Sequence, residues 1–231
     1  MKLIKSKDLF DKIMSDLSTH EQFADFNFKA GSNRIILRSK GFKKEVKILR
    51  YIDRHDSEMM IAYPTFGVKF DVLLKWFKKY NHKSLQDQRA NDSFGFETSM
   101  LGYESSYSWF SLNKTNHQFE IENFKREVLD CANKVFTNYA TLPLAYKSEI
   151  EPILRGEKEM PDVGMDWAFK DLTLCKIVNP KCYEDLKKII LSRIEFMRGR
   201  NEPNVAIYYD RLDEILEYLE GLTIDELYSF R

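Results

Sequence analysis

The residues best suited to chemistry lie in one basic stretch near the amino end. Residues 29–54 contain nine lysines or arginines against two acidic residues, so nine minus two gives a formal charge of plus seven. If Arg34 and Arg38 share a face with Lys43 and Lys47 across a hairpin, these cations could bind phosphates, and such binding depends steeply on salt. The alternative is a polar outer face of a sheet, on which lysines protect an edge from further pairing.

Arg50 is a second candidate, because it has the same alternation parity as Val46, Ile48 and Ile52. That parity predicts an arginine on the core side of a strand. A buried charge there must meet a carboxylate or a ligand anion, since leaving it unpaired is prohibitively costly. A ligand site, or an enzyme centred on Arg50 and the adjacent turn, would follow. The alternative is a bulge that swaps the parity of the strand.

The adjacent turn, Asp53 to Asp56, places His55 between two carboxylates. This composition could bind a metal or hold a general base. The spacing matches no metal-ligand frame, and the other three histidines fall in separate loops, so a solvent-exposed turn is favoured. Glycine-rich phosphate-binding motifs, H-E-x-x-H and G-x-S-x-G are absent from the sequence. We therefore expect no catalytic residues, no metal and no cofactor.

Aromatic residues just after position 100 form a third candidate. Tyr107 and Trp109, together with Tyr103 and Phe110, could line a groove or a partner surface, because aromatic residues are enriched in the cores of interfaces. The alternative is a strand whose aromatic residues fill the core.

The overall charge limits how this chain can attract a partner. Lysine plus arginine equals aspartate plus glutamate, 36 against 36, so any attraction to an anion must be local. The odd number of cysteines, three, favours a reducing compartment. The sequence contains neither the apolar core of a signal peptide nor an apolar stretch of spanning length. We expect a cytoplasmic protein without a membrane partner.

The carboxyl-terminal stretch has the opposite charge. Residues 202–231 contain eight acidic residues against two arginines, a formal charge of minus six. This stretch could dock on the basic hairpin within the molecule, or on another copy to form an oligomer. Solvated charge on the outer side of a helix is the favoured interpretation.

Periodicity places these candidates on elements. Period-two alternation predicts a hairpin over residues 34–52 and further strands near 59–68, 94–100 and 109–112, whereas period-3.6 stretches predict helices over 5–17 and 118–140. The predicted fold is α+β, a meander of about five antiparallel strands packed by helices. Residues 1–141 form the predicted sheet domain, residues 142–164 an irregular connection, and residues 165–231 a helical annex.

The run of Phe28, Lys29, Gly31, Ile35 and Arg38 follows an amphipathic helix and precedes VKILRYI, AYPTFGVKF and SWFSLN. This order resembles a bacterial family known as domain of unknown function 4304, over roughly the first 140 residues. The resemblance implies a helix, an antiparallel sheet and further helices, and it implies no chemistry.

These observations place three functional hypotheses in order. We expect first a non-catalytic protein-binding module whose basic hairpin meets an acidic partner, by analogy with bacterial immunity proteins that block a toxin. Nucleic-acid binding by the same hairpin is the second hypothesis, and the enzyme centred on Arg50 is the third.

Overall fold

The alternating stretches of the sequence form one antiparallel sheet. The computed structural model describes residues 5–53, 55–82, 92–103, 108–160, 165–200 and 206–230. Helices and an antiparallel sheet occupy largely separate parts of the chain, so the predicted α+β class is confirmed. The strands are Asn27–Lys29 (β1), Arg34–Ser39 (β2), Phe42–Ile52 (β3), Met59–Phe70 (β4), Phe94–Glu97 (β5) and Ser108–Ser111 (β6).

The strand order is β1-β2-β3-β4-β5, with β6 also paired to β4. The 12-residue β4 is long enough to hold two partners in succession. Its residues 59–62 pair with β6 and its residues 65–68 pair with β5. Pro64 lies between these two stretches. A proline has no backbone N–H to donate and is expected at an edge or a bulge of a sheet, and in β4 it lies where the partner strand changes.

Tertiary contacts divide the chain into two units, residues 1–69 with 94–137 and residues 70–93 with 138–231. In the first unit, helices Ser6–Ser18 (α1) and His117–Asn138 (α2) cover one face of the sheet. Lys12 Nζ of α1 donates to Gln118 Oε1 of α2 at 2.5 Å. The Phe110 ring of β6 packs edge-on against Phe124 of α2, with centroids 5.8 Å apart. The core of this unit therefore lies between the two helices and one sheet face.

The second unit is helical. Its helices are Leu142–Leu154 (α3), Met165–Val178 (α4), Tyr183–Gly199 (α5), Leu212–Gly221 (α6) and Ile224–Ser229 (α7). Helix α4 packs against α3 and α5. Every residue from Met165 to Cys175 except Trp167 is buried, so α4 is the central helix of this unit.

Two features of the second unit differ from the predicted organisation. Residues 142–154, expected within an irregular connection, form α3, because Thr141 caps the first turn and Pro143 is tolerated there. Residues 70–93 group with the carboxyl-terminal helices, since the Trp76 indole N–H donates to Thr173 Oγ1 of α4 at 2.9 Å. In the described part of the chain, no helix combines the length and apolar character needed to cross a membrane.

Candidate functional site

The sheet of the first unit has a second face, opposite the one that packs on α1 and α2, and we call it the open face, although Ile36, Lys43 and Glu45 are buried on it. The β2–β3 register pairs Arg34 with Lys47 and Arg38 with Lys43. Because cross-strand partners share a side of a sheet, all four predicted cations lie on this face. The side chains at the alternate positions, such as Val46, are buried in the core on the other face.

Glu45 lies in the middle of these four cations. It is paired with Ile36 in the register, so the Arg34–Lys47 pair lies on one side of it and the Arg38–Lys43 pair on the other. Its carboxylate forms ion pairs with Arg34 at 3.1 Å and with Lys43 at 2.7 Å. Glu45 and Lys43 are both buried, whereas Arg38 is exposed and Lys47 half-buried. The basic surface is therefore partly neutralised from within.

Lys44 lies on the core side of the same hairpin and has a structural role. Its ammonium donates to the Phe136 carbonyl in the last turn of α2 at 3.2 Å and lies 5.4 Å from the Phe136 ring centroid. Partial burial lowers the pKa of Lys44. This lysine thus satisfies a helix carbonyl that has no partner within the helix.

The other half of the open face is aromatic. The Asp53 N–H donates to the Met59 carbonyl at 3.0 Å, which aligns β3 with β4 so that Tyr51 lies opposite Ile61. Ile61 in turn pairs with Trp109 of β6. Tyr51 and Trp109 are 53% and 43% exposed and Ile61 between them is half-buried, so a row of three large side chains crosses three strands.

Tyr63 lies beside this row on the same face. Partial burial raises the pKa of Tyr63 to about 12, with a further contribution from its hydrogen bond to Glu97 and from the charge of that carboxylate. Glu97 pairs with Thr65 of β4, one position along the face. The tyrosine hydroxyl is therefore held towards Glu97 while its ring adjoins the aromatic row.

Sequence parity predicted a buried Arg50, and the structure corrects this. Arg50 lies on the helix-covered side of β3, as predicted, but near the end of the strand, where residues 50–52 are exposed. Its guanidinium is 5.6 Å from the Phe10 ring centroid of α1. An exposed arginine whose guanidinium lies over an aromatic ring needs no buried anion, because its charge stays in contact with water.

The Asp53–Asp56 turn uses its carboxylates to hold its own backbone. Asp53 Oδ1 accepts from the N–H groups of His55 at 2.7 Å and Asp56 at 2.9 Å, and Asp56 Oδ1 accepts from Glu58 N–H at 2.9 Å. Such bonds are typical of a solvent-exposed turn. Within the described residues, no group of three or more histidine, cysteine, aspartate or glutamate side chains could hold a metal ion. Arg54 and the predicted Tyr107 lie outside the described residues.

Three acidic side chains of the carboxyl-terminal stretch, Glu214, Glu220 and Glu226, have partners inside the second unit. Glu214 forms a two-pronged ion pair with Arg211 at 2.9 and 3.0 Å, and Glu220 pairs with Lys187. Glu226 forms a capping box at the first turn of α7. These acids thus stabilise helix ends and helix pairs of their own unit.

Sequence reasoning missed a buried ionic cluster in the second unit. The Tyr139 hydroxyl donates to Glu149 of α3, whose other carboxylate oxygen lies 2.9 Å from Lys158 Nζ. In α4, Lys170 Nζ lies 2.8 Å from Asp171 Oδ1, and both side chains are almost fully buried. Burial raises the pKa of Asp171, and the nearby charge of Glu149 raises it further, whereas Lys170 opposes the rise. The only sequence signal was a charged pair inside the otherwise apolar stretch of α4.

Neither the family models nor the curated proteins nor the solved structures contain a match to this chain. The resemblance to domain of unknown function 4304 therefore stays an expectation.

Proposed function

We propose that the chain is a non-catalytic, cytoplasmic binding module whose open face binds a protein partner with an acidic surface. The observation that carries this proposal is the row in which exposed Tyr51 and Trp109 flank the half-buried Ile61, on a sheet face that also carries arginines and lysines. Tyrosine, tryptophan and arginine dominate the binding energy of protein interfaces, especially where they cluster.

The two halves of the open face have different roles in this proposal. The aromatic half supplies apolar area, which provides most of the affinity. The basic half contains Arg34, Arg38, Lys43 and Lys47 with Glu45 among them, so four cations against one carboxylate leave three positive charges. Such a charge orients an acidic partner and speeds its association rather than adding much affinity.

The experiment compares two variants of the full chain as affinity baits. Tyr51→Ala with Trp109→Ala removes the aromatic row, and Phe119→Ala removes a side chain that is 68% exposed on α2, away from the open face. We then purify the proteins that the wild type and the Phe119 variant capture and the double variant does not. Each is titrated against the wild type and both variants by calorimetry. We expect a loss of affinity of roughly 10- to 100-fold, about 1.4–2.8 kcal/mol. Equal binding by both variants would remove the open face as the site.

Single-stranded nucleic acid is a second candidate, favoured by the same aromatic row. Exposed aromatic rings on a sheet with adjacent cations are the arrangement on which bases stack. Stacking would quench Trp109 fluorescence, and Trp109→Phe identifies this signal because the two remaining tryptophans, Trp76 and Trp167, belong to the second unit. Titration of an oligonucleotide at several salt concentrations decides the case, since no binding at low salt, or a log–log slope near zero, excludes this ligand.

A further inference from the structure

Two cysteines seven positions apart meet around one asparagine in the second unit. Cys175 lies in the last turn of α4, and Cys182 ends a short 3₁₀ turn directly before α5. The Asn179 carbonyl oxygen accepts from the Cys175 thiol at 3.5 Å and from the Cys182 backbone N–H at 3.1 Å. The Asn179 side-chain N–H donates to Cys182 Sγ at 3.2 Å. A single residue therefore bridges both cysteines.

Tyr146 of α3 completes this thiol cluster. Its hydroxyl accepts from the Asn179 side-chain N–H at 3.1 Å. Burial raises the pKa of Tyr146 to about 12, and its neighbours include both cysteines. The side chains around Asn179 thus converge from α3, from α4 and from the turn before α5.

The two thiols differ in access to solvent. Cys175 is fully buried, whereas Cys182 is half-buried, and both are free thiols. Burial raises the pKa of Cys175 to about 12, and the neighbouring Cys182 contributes to the rise. Cys182 occupies the N-cap position of the 17-residue helix α5 and is the thiol of the pair that an oxidant in solution can reach.

We propose that Cys182 and Cys175 form a thiol-oxidation site that closes to an intramolecular disulfide when the protein meets hydrogen peroxide. The Cys182 thiolate attacks one peroxide oxygen, so an S–O bond forms, the O–O bond breaks and water leaves after protonation. The Cys175 sulfur then attacks the resulting sulfenic acid, so an S–S bond forms, the S–O bond breaks and a second water leaves with the Cys175 proton. Two thiols are oxidised by two electrons, and one peroxide is reduced to two waters.

Closure requires a local rearrangement at Asn179. The asparagine side chain now donates to Cys182 Sγ, and this bond is lost when the sulfur joins Cys175. Asn179 and the short 3₁₀ turn Pro180–Cys182 are all that separates α4 from α5, so the rearrangement takes place in this turn.

The test measures free thiols and disulfide connectivity in the full chain. After peroxide treatment and removal of the oxidant, thiol titration in denaturant is expected to fall from three thiols per chain to one, with the loss of two hydrogens in the intact mass. A non-reducing peptide map should link Cys175 to Cys182 and leave Cys131, which is buried in α2, as a thiol. Dithiothreitol should restore all three thiols.

Two variants make the order of events testable. Cys175→Ser should leave Cys182 as a sulfenic acid that a dimedone probe labels, and Cys182→Ser should leave Cys175 unmodified. Because Cys175 is in the core, circular dichroism must first show that Cys175→Ser folds. If Cys175→Ser does not fold, the test rests on Cys182→Ser, which changes only a half-buried side chain. Three remaining thiols after oxidation, a link involving Cys131, or a link between chains would each overturn the proposal.

Discussion

Replacing Tyr139 by phenylalanine tests whether the buried ionic cluster holds the second unit together. The Tyr139 hydroxyl donates to Glu149, and both side chains are buried. A hydrogen bond to a charged group contributes about 1.5–3 kcal/mol, and phenylalanine keeps the ring while leaving the carboxylate without this donor. We expect Tyr139→Phe to lower the free energy of unfolding of this unit by about 2 kcal/mol.

The assay must report the second unit alone, because a chain of two units need not unfold in one step. In a Trp109→Phe background the remaining tryptophans, Trp76 and Trp167, lie in the second unit, so their fluorescence follows its unfolding in urea. Tyr228→Phe is the matched control, since that side chain is 57% exposed and its change should stay within about 0.5 kcal/mol. A Tyr139 effect no larger than the control's would refute the structural role of the cluster.

Tyr139→Phe should also change how the stability of the second unit depends on pH in the alkaline range. Burial, together with the charge of Glu149, raises the pKa of Tyr139 above its ordinary value of 10.0. A raised pKa means that the unfolded chain ionises first, so the stability from this group is present below pH 10 and is lost as the pH rises further. We expect the wild type to lose stability above pH 10 more steeply than Tyr139→Phe, as measured by urea midpoints. Parallel pH profiles would contradict this.

Two further predictions concern the half-buried Lys176 and two buried thiols. Lys176 Nζ donates to the carbonyls of Leu219 and Glu220 at the end of α6, both at 2.8 Å. Replacing this lysine by methionine removes both bonds, so Lys176→Met should destabilise the second unit by about 1–2 kcal/mol. An unchanged midpoint of unfolding in urea would count against these bonds. Burial raises the pKa of Cys131 and that of Cys175 to about 12. About one in ten thousand molecules of either thiol is ionised at pH 8, and the thiolate is the form that reacts. Iodoacetamide should therefore leave Cys131 and Cys175 unmodified in the native protein. Rapid labelling of either cysteine, detected in a peptide map, would contradict this prediction.

Local patterns predicted strands β2 to β6 and missed the three-residue β1. Alternation of Ile35 and Val46 with charged neighbours predicted the strands and the side on which Arg34 and Lys47 lie, because each side chain's face follows from its own position in the strand. The same rule placed Arg50 on the helix-covered side. It could not predict that Arg50 is exposed, since exposure depends on how far the covering helices extend over β3.

The candidate sites depended more on tertiary structure. The basic stretch was evident in the sequence. Its partial neutralisation by Glu45 depends on the pairing of β2 with β3, and its continuation into the row of Tyr51, Ile61 and Trp109 depends on the pairing of β3, β4 and β6. Each strand carries one member of that row, so no single stretch of sequence contains it.

The second unit shows the same difference between what local sequence patterns predict and what tertiary packing decides. The sequence predicted a helical annex over residues 165–231, which includes α4, but the charges that act on Asp171 besides its neighbour Lys170 come from elsewhere: Glu149 belongs to α3, and Lys158 follows α3 in the chain. Likewise, Cys175 and Cys182 share no helical face, and only the turn at Asn179 brings them together. Backbone hydrogen bonding and side-chain periodicity act over a few residues and can be seen in a sequence. The burial and pairing of charges and thiols depend on which distant segments pack together, and that is decided only when the chain folds.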